Sequence, residues 1–162
     1  MIFKARLYHC LFTAMILACS ACNEQHAQIG STAPDIATYD MQGKETKLSA
    51  LQGNKLIMVF WSSTCGVCVN ELKEMEALLH DNPHHIQLLA INVDGEKIDL
   101  AKVIEKRNLN IPIVRDQMKI TAERYAVKGT PTSFIIDENG KLLSKYEGLV
   151  PKDELQKLFN QG

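Results

Sequence analysis

Almost no net charge remains on this chain of 162 residues. Its 18 lysines and arginines stand against 19 aspartates and glutamates, for −1 at pH 7 with histidine neutral. That balance suits no polyanionic partner, so no nucleic-acid surface is expected. Internal repeats and low-complexity segments are missing too, which leaves repeat architectures and long disordered tails out of account. The apolar stretch from Leu7 to Ala18, interrupted by His9, falls short of the roughly 20 residues a spanning helix needs. What remains is length enough for one domain with a real core.

The N-terminus reads as an address, not as part of the fold. Lys4 and Arg6 give Met1–Arg6 a positive start, and Leu7–Ala18 has the proportions of a signal-peptide core. It runs into Ile16-Leu17-Ala18-Cys19-Ser20, which resembles a bacterial lipobox. We therefore expect a lipoprotein signal peptide over residues 1–18, lipid on Cys19, a tether over 19–32 and one domain over 33–162. Cys22 is the poorer second lipidation site, and a cleaved secreted form or an uncleaved anchor are the other readings. All place the domain outside the bacterial cytoplasm, in the periplasm, where disulfides persist unless something reduces them. Ser20 is not the aspartate that retains many enterobacterial lipoproteins in the inner membrane, so the outer membrane is favoured by analogy.

Cys65-Gly66-Val67-Cys68 stands where the apolar run Leu56–Trp61 gives way to an amphipathic stretch. Two cysteines with this spacing at a helix start can open and close a disulfide within one turn. The positive end of the helix dipole and its free N–H groups favour a thiolate. A thiol of pKa about 8.5 can be drawn to about 7 or below in such a place. The pair reads as a thiol–disulfide exchange site. An inert structural disulfide is the blander reading. Zinc held by Cys19, Cys22, Cys65 and Cys68 is another, but the separation is long for a zinc ribbon and the lipobox already accounts for Cys19. Cys10 leaves with the signal peptide, and Cys22 has no assigned role. His84-His85 lack a matching third ligand.

The remaining elements follow from periodicity and punctuation. Ile36–Tyr39 and Glu45–Leu48 flank Met41-Gln42-Gly43-Lys44 as a short hairpin. Leu56–Trp61 has no alternation, as befits a central strand covered on both faces. Val69, Leu72, Met75 and Leu79 set the apolar stripe of a helix, with Glu71, Lys73, Glu74 and Glu76 assigned between them. Asp81-Asn82-Pro83 stops it. A buried strand is expected over Ile86–Val93, a turn at Asp94-Gly95-Glu96, and a helix through Leu100, Val103 and Ile104. Ile111–Val114 is short and extended, with Pro112 restricting it to an edge or an entry position. A short helix over Ile120–Ala126 comes next. Phe134–Ile136 and Leu142–Tyr146 pair across Asn139-Gly140, and Pro151 opens the last helix. This alternation implies α/β architecture: a parallel sheet with helices on both faces and an antiparallel hairpin at its edge.

That order, together with Phe60-Trp61-Ser62-Ser63-Thr64-Cys65-Gly66-Val67-Cys68 and Gly129-Thr130-Pro131-Thr132, resembles the thioredoxin superfamily. More narrowly it resembles the TlpA/ResA-like branch of extracytoplasmic thiol–disulfide oxidoreductases, over residues 33–160. The resemblance implies a thioredoxin-like fold: a central mixed sheet flanked by helices, an N-terminal hairpin and a central strand–helix insertion around Asp94–Arg107. It implies that Cys65 is the exposed nucleophile and Cys68 the buried resolving cysteine. It also implies a cis peptide bond before Pro131, with the Thr130 backbone facing the disulfide and able to pair with substrate. Glu96 falls where members of the branch carry a buried glutamate near the cysteines, and is a candidate acceptor for the Cys68 proton; otherwise it is a solvated turn residue. Trp61 is carried as a candidate substrate contact, although core packing is the simpler reading.

The branch implies no cofactor beyond the redox-active Cys65–Cys68 disulfide. Expected partners are protein thiols and disulfides, a membrane-bound electron donor, and the membrane itself through the lipid. The chain is expected to be a monomer, and apocytochrome c thiols are the substrate class suggested. Thr64 and Val67 stand where many relatives have tryptophan and proline, and Val59 where cytoplasmic thioredoxins keep a buried acid. Two other activities are the alternatives. A peroxiredoxin-like peroxidase would place Pro-x-x-x-Thr-x-x-Cys before its cysteine, and a copper chaperone would use Cys-x-x-x-Cys; neither pattern is present.

Overall fold

In the computed structural model, residues 26–82 and 86–160 are described. The segment expected to be a signal peptide, Cys10, Cys19, Cys22 and His84-His85 lie outside the described residues. The strands are β1 (Thr38–Tyr39), β2 (Glu45–Thr46), β3 (Lys55–Trp61), β4 (Ile86–Asn92), β5 (Ile113–Arg115), β6 (Thr132–Ile136) and β7 (Leu142–Glu147). The α-helices are α1 (Gly66–Asp81), α2 (Leu100–Arg107), α3 (Ile120–Arg124) and α4 (Lys152–Asn160). One mixed sheet runs β2-β1-β5-β4-β3-β6-β7.

Strand β3 explains the unbroken apolar run. It pairs with β4 on one side and β6 on the other, so neither edge nor face meets water. Successive side chains then go to opposite layers. Ile57, Val59 and Trp61 pack with Cys68, Val69, Leu72 and Met75 of α1 and with Leu155 and Phe159 of α4. Leu56, Met58 and Phe60 pack with Tyr125, Phe134, Val114 and Ile36 on the other face. The sheet therefore separates an active-helix layer from a layer closed by α3 and the N-terminal segment.

Strands β3, β4 and β5 are parallel as expected, but β6 runs antiparallel to β3. Helix α3 in the connection is only five residues long, about 7.5 Å. The chain leaves β5 and enters β6 at the same end, where Thr132 pairs with Phe60 near the end of β3. That reversal brings Pro131 beside the cysteines.

Two boundaries differ from the sequence reading. The Asp94–Arg107 insertion holds a 3-10 turn at Gly95–Lys97 and helix α2; its strand, β5, follows the helix, and lies inside the sheet between β1 and β4. Pro112 precedes β5 at the entry, and its carbonyl accepts the Ala90 N–H at 2.9 Å. The domain also begins before residue 33. The N–H of Ala27 donates to Arg124, that of Gly30 to Leu142, and that of Leu142 to Ser31, so residues 27–32 form a strap on the domain rather than a free tether.

Candidate active site

Cys65 caps the N-terminus of α1 with its side chain, and its sulfur receives the Cys68 N–H at 3.3 Å. It is half-buried, whereas Cys68 is fully buried among Trp61, Val69 and Leu72. The two form a disulfide with Cα atoms 5.3 Å apart. Gly66 and Val67 lie exposed between them, Val67 at 53%. A partner therefore reaches Cys65 and not Cys68.

The second motif closes over the first. The Thr130–Pro131 bond is cis, and the Thr130 carbonyl oxygen lies 3.6 Å from Cys65 Sγ. The loop is held at both ends: the Thr132 hydroxyl donates to Gly129 O at 2.8 Å, and the Gly148 N–H donates to Pro131 O at 2.9 Å. Thr130 is partly exposed and Pro131 buried. Cys65, Cys68, Thr130 and Pro131 are thus brought together as the sequence implied.

Two candidates are corrected. Glu96 is exposed in the Gly95–Lys97 turn, on the rim of a surface crevice with Asp94, Lys97 and Gln117. It is not a buried acid, because a turn of three residues on the surface gives its side chain nothing to pack beneath. Trp61 is fully buried in the α1 layer. Alternation along β3 points it at the core, so it offers no surface to a substrate.

The buried glutamate of α1 is Glu71, which the sequence reading placed between the apolar positions of that helix. It is 3% exposed. One carboxylate oxygen accepts the Val150 N–H at 2.7 Å, and the other is buried without a partner. Burial raises its pKa above the usual carboxylate range, with the Val150 N–H pulling the other way and the neighbouring Glu74 charge adding to the rise. A signal was available. Cys68, Glu71, Leu72 and Met75 stand at i, i+3, i+4 and i+7, the spacing of one helix face, so Glu71 shares the face of Cys68. It also lines a groove of about 160 Å³ flanked by the exposed Val67 and Leu149.

The chemistry available is therefore one accessible sulfur, one sealed sulfur and one buried carboxyl on the same helix. Among the described residues, no group of three or more His, Cys, Asp and Glu side chains is placed to hold a metal ion.

Residues 29–145 match the AhpC/TSA family. The chain belongs to that family. Within it, the chain is 33% identical over 129 residues to thiol-disulfide oxidoreductase ResA of Geobacillus thermodenitrificans, covering 79% of this chain and 74% of the relative. ResA of Geobacillus kaustophilus is 32% identical over 130 residues, covering 80% and 75%. Among solved structures, one from Chlorobium tepidum assigned as a thiol:disulfide interchange protein DsbE superposes with a TM-score of 0.74 at 32% identity. It covers 82% of this chain and 96% of that one. This AhpC/TSA member is thus a ResA-like, thioredoxin-fold thiol–disulfide oxidoreductase, and its Cys65–Cys68 disulfide fits a redox-active pair.

Proposed function

We propose that this oxidoreductase works as a reductant of protein disulfides outside the cytoplasm. The observation that carries the reading is the asymmetry of the pair: Cys65 is open at a helix N-terminus under the Thr130 carbonyl, while Cys68 is sealed. The Cys65 thiolate attacks one sulfur of a substrate disulfide. That S–S bond breaks, the departing substrate thiolate takes a proton from water, and Cys65 is left in a mixed disulfide. Cys68 then gives its proton to Glu71, and its thiolate attacks Cys65 Sγ. The second substrate sulfur leaves and is protonated in turn. The substrate has gained two electrons and two protons, and the enzyme holds the Cys65–Cys68 disulfide. Glu71 takes the part first assigned to Glu96: its unpartnered buried oxygen and raised pKa suit a group that accepts a proton from a sealed thiol. Thr130 and Pro131 present backbone to the substrate segment.

A membrane-bound donor returns the two electrons, and a lipid on Cys19 keeps the domain at a membrane in the periplasm. Resemblance to the TlpA/ResA-like branch supports the haem-attachment cysteines of apocytochromes c as substrates. The testing measurement is the equilibrium reduction potential of the pair in the described domain. A value near about −250 mV or lower is expected of a reductant, and a value near about −120 mV would reverse the direction of electron flow proposed.

A further inference from the structure

Asp94 follows β4, beside the end of β3, where Trp61 pairs with Asn92 and the Val93 N–H donates to Trp61 O. Its carboxylate gathers the loop that leads into Cys65. Oδ1 receives the Ser62 hydroxyl at 2.6 Å, and Oδ2 receives the Ser63 N–H at 2.7 Å and the Asn92 side-chain amide at 2.9 Å. The Ser62 hydroxyl also lies 3.1 Å from that of Thr64. A carboxylate only accepts, and a serine hydroxyl has one proton to give. Ser62 therefore donates to Asp94, and Thr64 must donate to Ser62. Every hydroxyl and N–H named here on residues 62–64 is turned toward Asp94, directly or through Ser62. Meanwhile the Ser62 carbonyl accepts the Cys65 N–H at 3.1 Å. The partners of Cys65 Sγ are the Cys68 N–H and the Thr130 carbonyl, which is an acceptor.

We propose that Asp94 is a positioning residue that keeps the Cys65–Cys68 pair reducing: it holds the loop's donors away from the nucleophilic sulfur and sets a negative charge beside the loop that presents it. The inference rests on Cys65–Cys68 being the exchanging couple. The disulfide is neutral, whereas the reduced pair carries charge on Cys65, so any donor or positive field at that sulfur favours the reduced form and raises the potential. Helix α1 supplies such a field and has no acid in its own first turn. Asp94 is the countering charge. Partial burial works against ionisation, but the bonds from Ser62, Ser63 and Asn92 outweigh it and hold this carboxyl below the usual range, so it is charged at neutral pH.

The test is equilibration with dithiothreitol at pH 7 and fixed ionic strength. Dithiothreitol gives up two electrons and two protons in closing its own disulfide. The protein takes both electrons, Cys68 takes one proton, and the other goes to solvent when Cys65 remains a thiolate. D94N keeps the shape, loses the charge, and cannot accept from both Ser62 and Ser63. Its equilibrium constant for reduction should rise about tenfold, a potential about 30 mV less negative, and iodoacetamide should alkylate its Cys65 faster. S62A keeps the charge and frees the Thr64 hydroxyl, so it should move the same way by a smaller factor, about two- to threefold; it decides the matter should D94N not fold. Less than a twofold change in D94N, or a shift toward more negative potential, overturns the proposal even where thermal stability falls, because loosening alone does not set this equilibrium. The wild-type potential tests the reductant reading separately: an oxidising wild type with a still more oxidising D94N keeps the role of Asp94 and removes that reading.

Discussion

Glu71 makes two claims at the scale of the residue, one kinetic and one thermodynamic. As acceptor of the Cys68 proton it acts after the mixed disulfide has formed. In E71Q, release of reduced substrate from that intermediate should slow about 100-fold at neutral pH, while alkylation of Cys65 in the reduced enzyme keeps its wild-type rate. Stopped-flow measurement of the two steps separates them, and equal slowing of both would assign Glu71 to packing alone. The thermodynamic claim concerns pH. The folded protein holds the Glu71 proton above the ordinary pKa of 4.5, because burial disfavours the charge. Between the unfolded and folded pKa values the native state binds more protons than the unfolded chain, so stability falls as pH rises through that window. Asp116, fully buried, is raised by burial in the same way and adds the same sign. Tm should therefore decline less steeply in E71Q than in the wild type as pH rises from about 4.5; parallel curves would show that Glu71 keeps its ordinary pKa.

At the scale of the element, α3 and the strap decide where the Thr130–Pro131 loop sits. Tyr125, just past α3, is 1% exposed. Its ring meets Phe134 edge-on at 4.9 Å and Phe60 at 5.7 Å, and its hydroxyl donates to Pro34 O at 2.6 Å. Arg124 adds a bond to Asp35 O, and Thr121 accepts the Ala37 N–H. Y125F keeps the ring contacts and leaves a buried carbonyl unpaired, which costs about 1–3 kcal/mol. Urea denaturation should show a lower midpoint with unchanged slope, and Cys65 alkylation should keep its rate; a wild-type midpoint would mean that water replaces the bond. Helix α3 was expected, but the strap was not legible from periodicity, because it has no repeat and its bonds are made by backbone. What carries a period or strong turn chemistry was legible: β3 from its unbroken apolar run, α1 from its stripe, and the β6–β7 hairpin from Asn139-Gly140, with Gly140 at φ +82°. The direction of β6 was not, since it depends on how the 116–131 connection folds at one end of the sheet. Within the site, Cys65, Cys68 and Pro131 announced themselves as motifs. Glu71 did not, because a charged residue on an apolar face is taken for a boundary residue until packing shows otherwise. Asp94 reads as a turn aspartate until β4 sets it against Ser62.

At the scale of the whole molecule, the strap fixes how far the domain can stand from whatever holds its N-terminus. The domain grips the chain from Ala27, whose N–H is bonded to Arg124 O. Cys19 lies eight residues before it, and covalent geometry limits eight residues to about 29 Å however they are shaped. A lipid on Cys19 would thus confine the oxidoreductase to a shell thinner than a small domain is wide, and would favour partners that work at the same membrane. A single acyl chain binds a membrane only marginally, so stable retention needs the multiple chains of a bacterial lipoprotein. C19A should move the protein from the membrane pellet to the soluble extracytoplasmic fraction and abolish labelling by radioactive palmitate. The reduction potential of its Cys65–Cys68 pair should be unchanged, because the strap, not the lipid, is what the domain packs against. An unaltered distribution between pellet and supernatant would remove Cys19 as the anchor, while leaving the exchange chemistry of the domain where it stands.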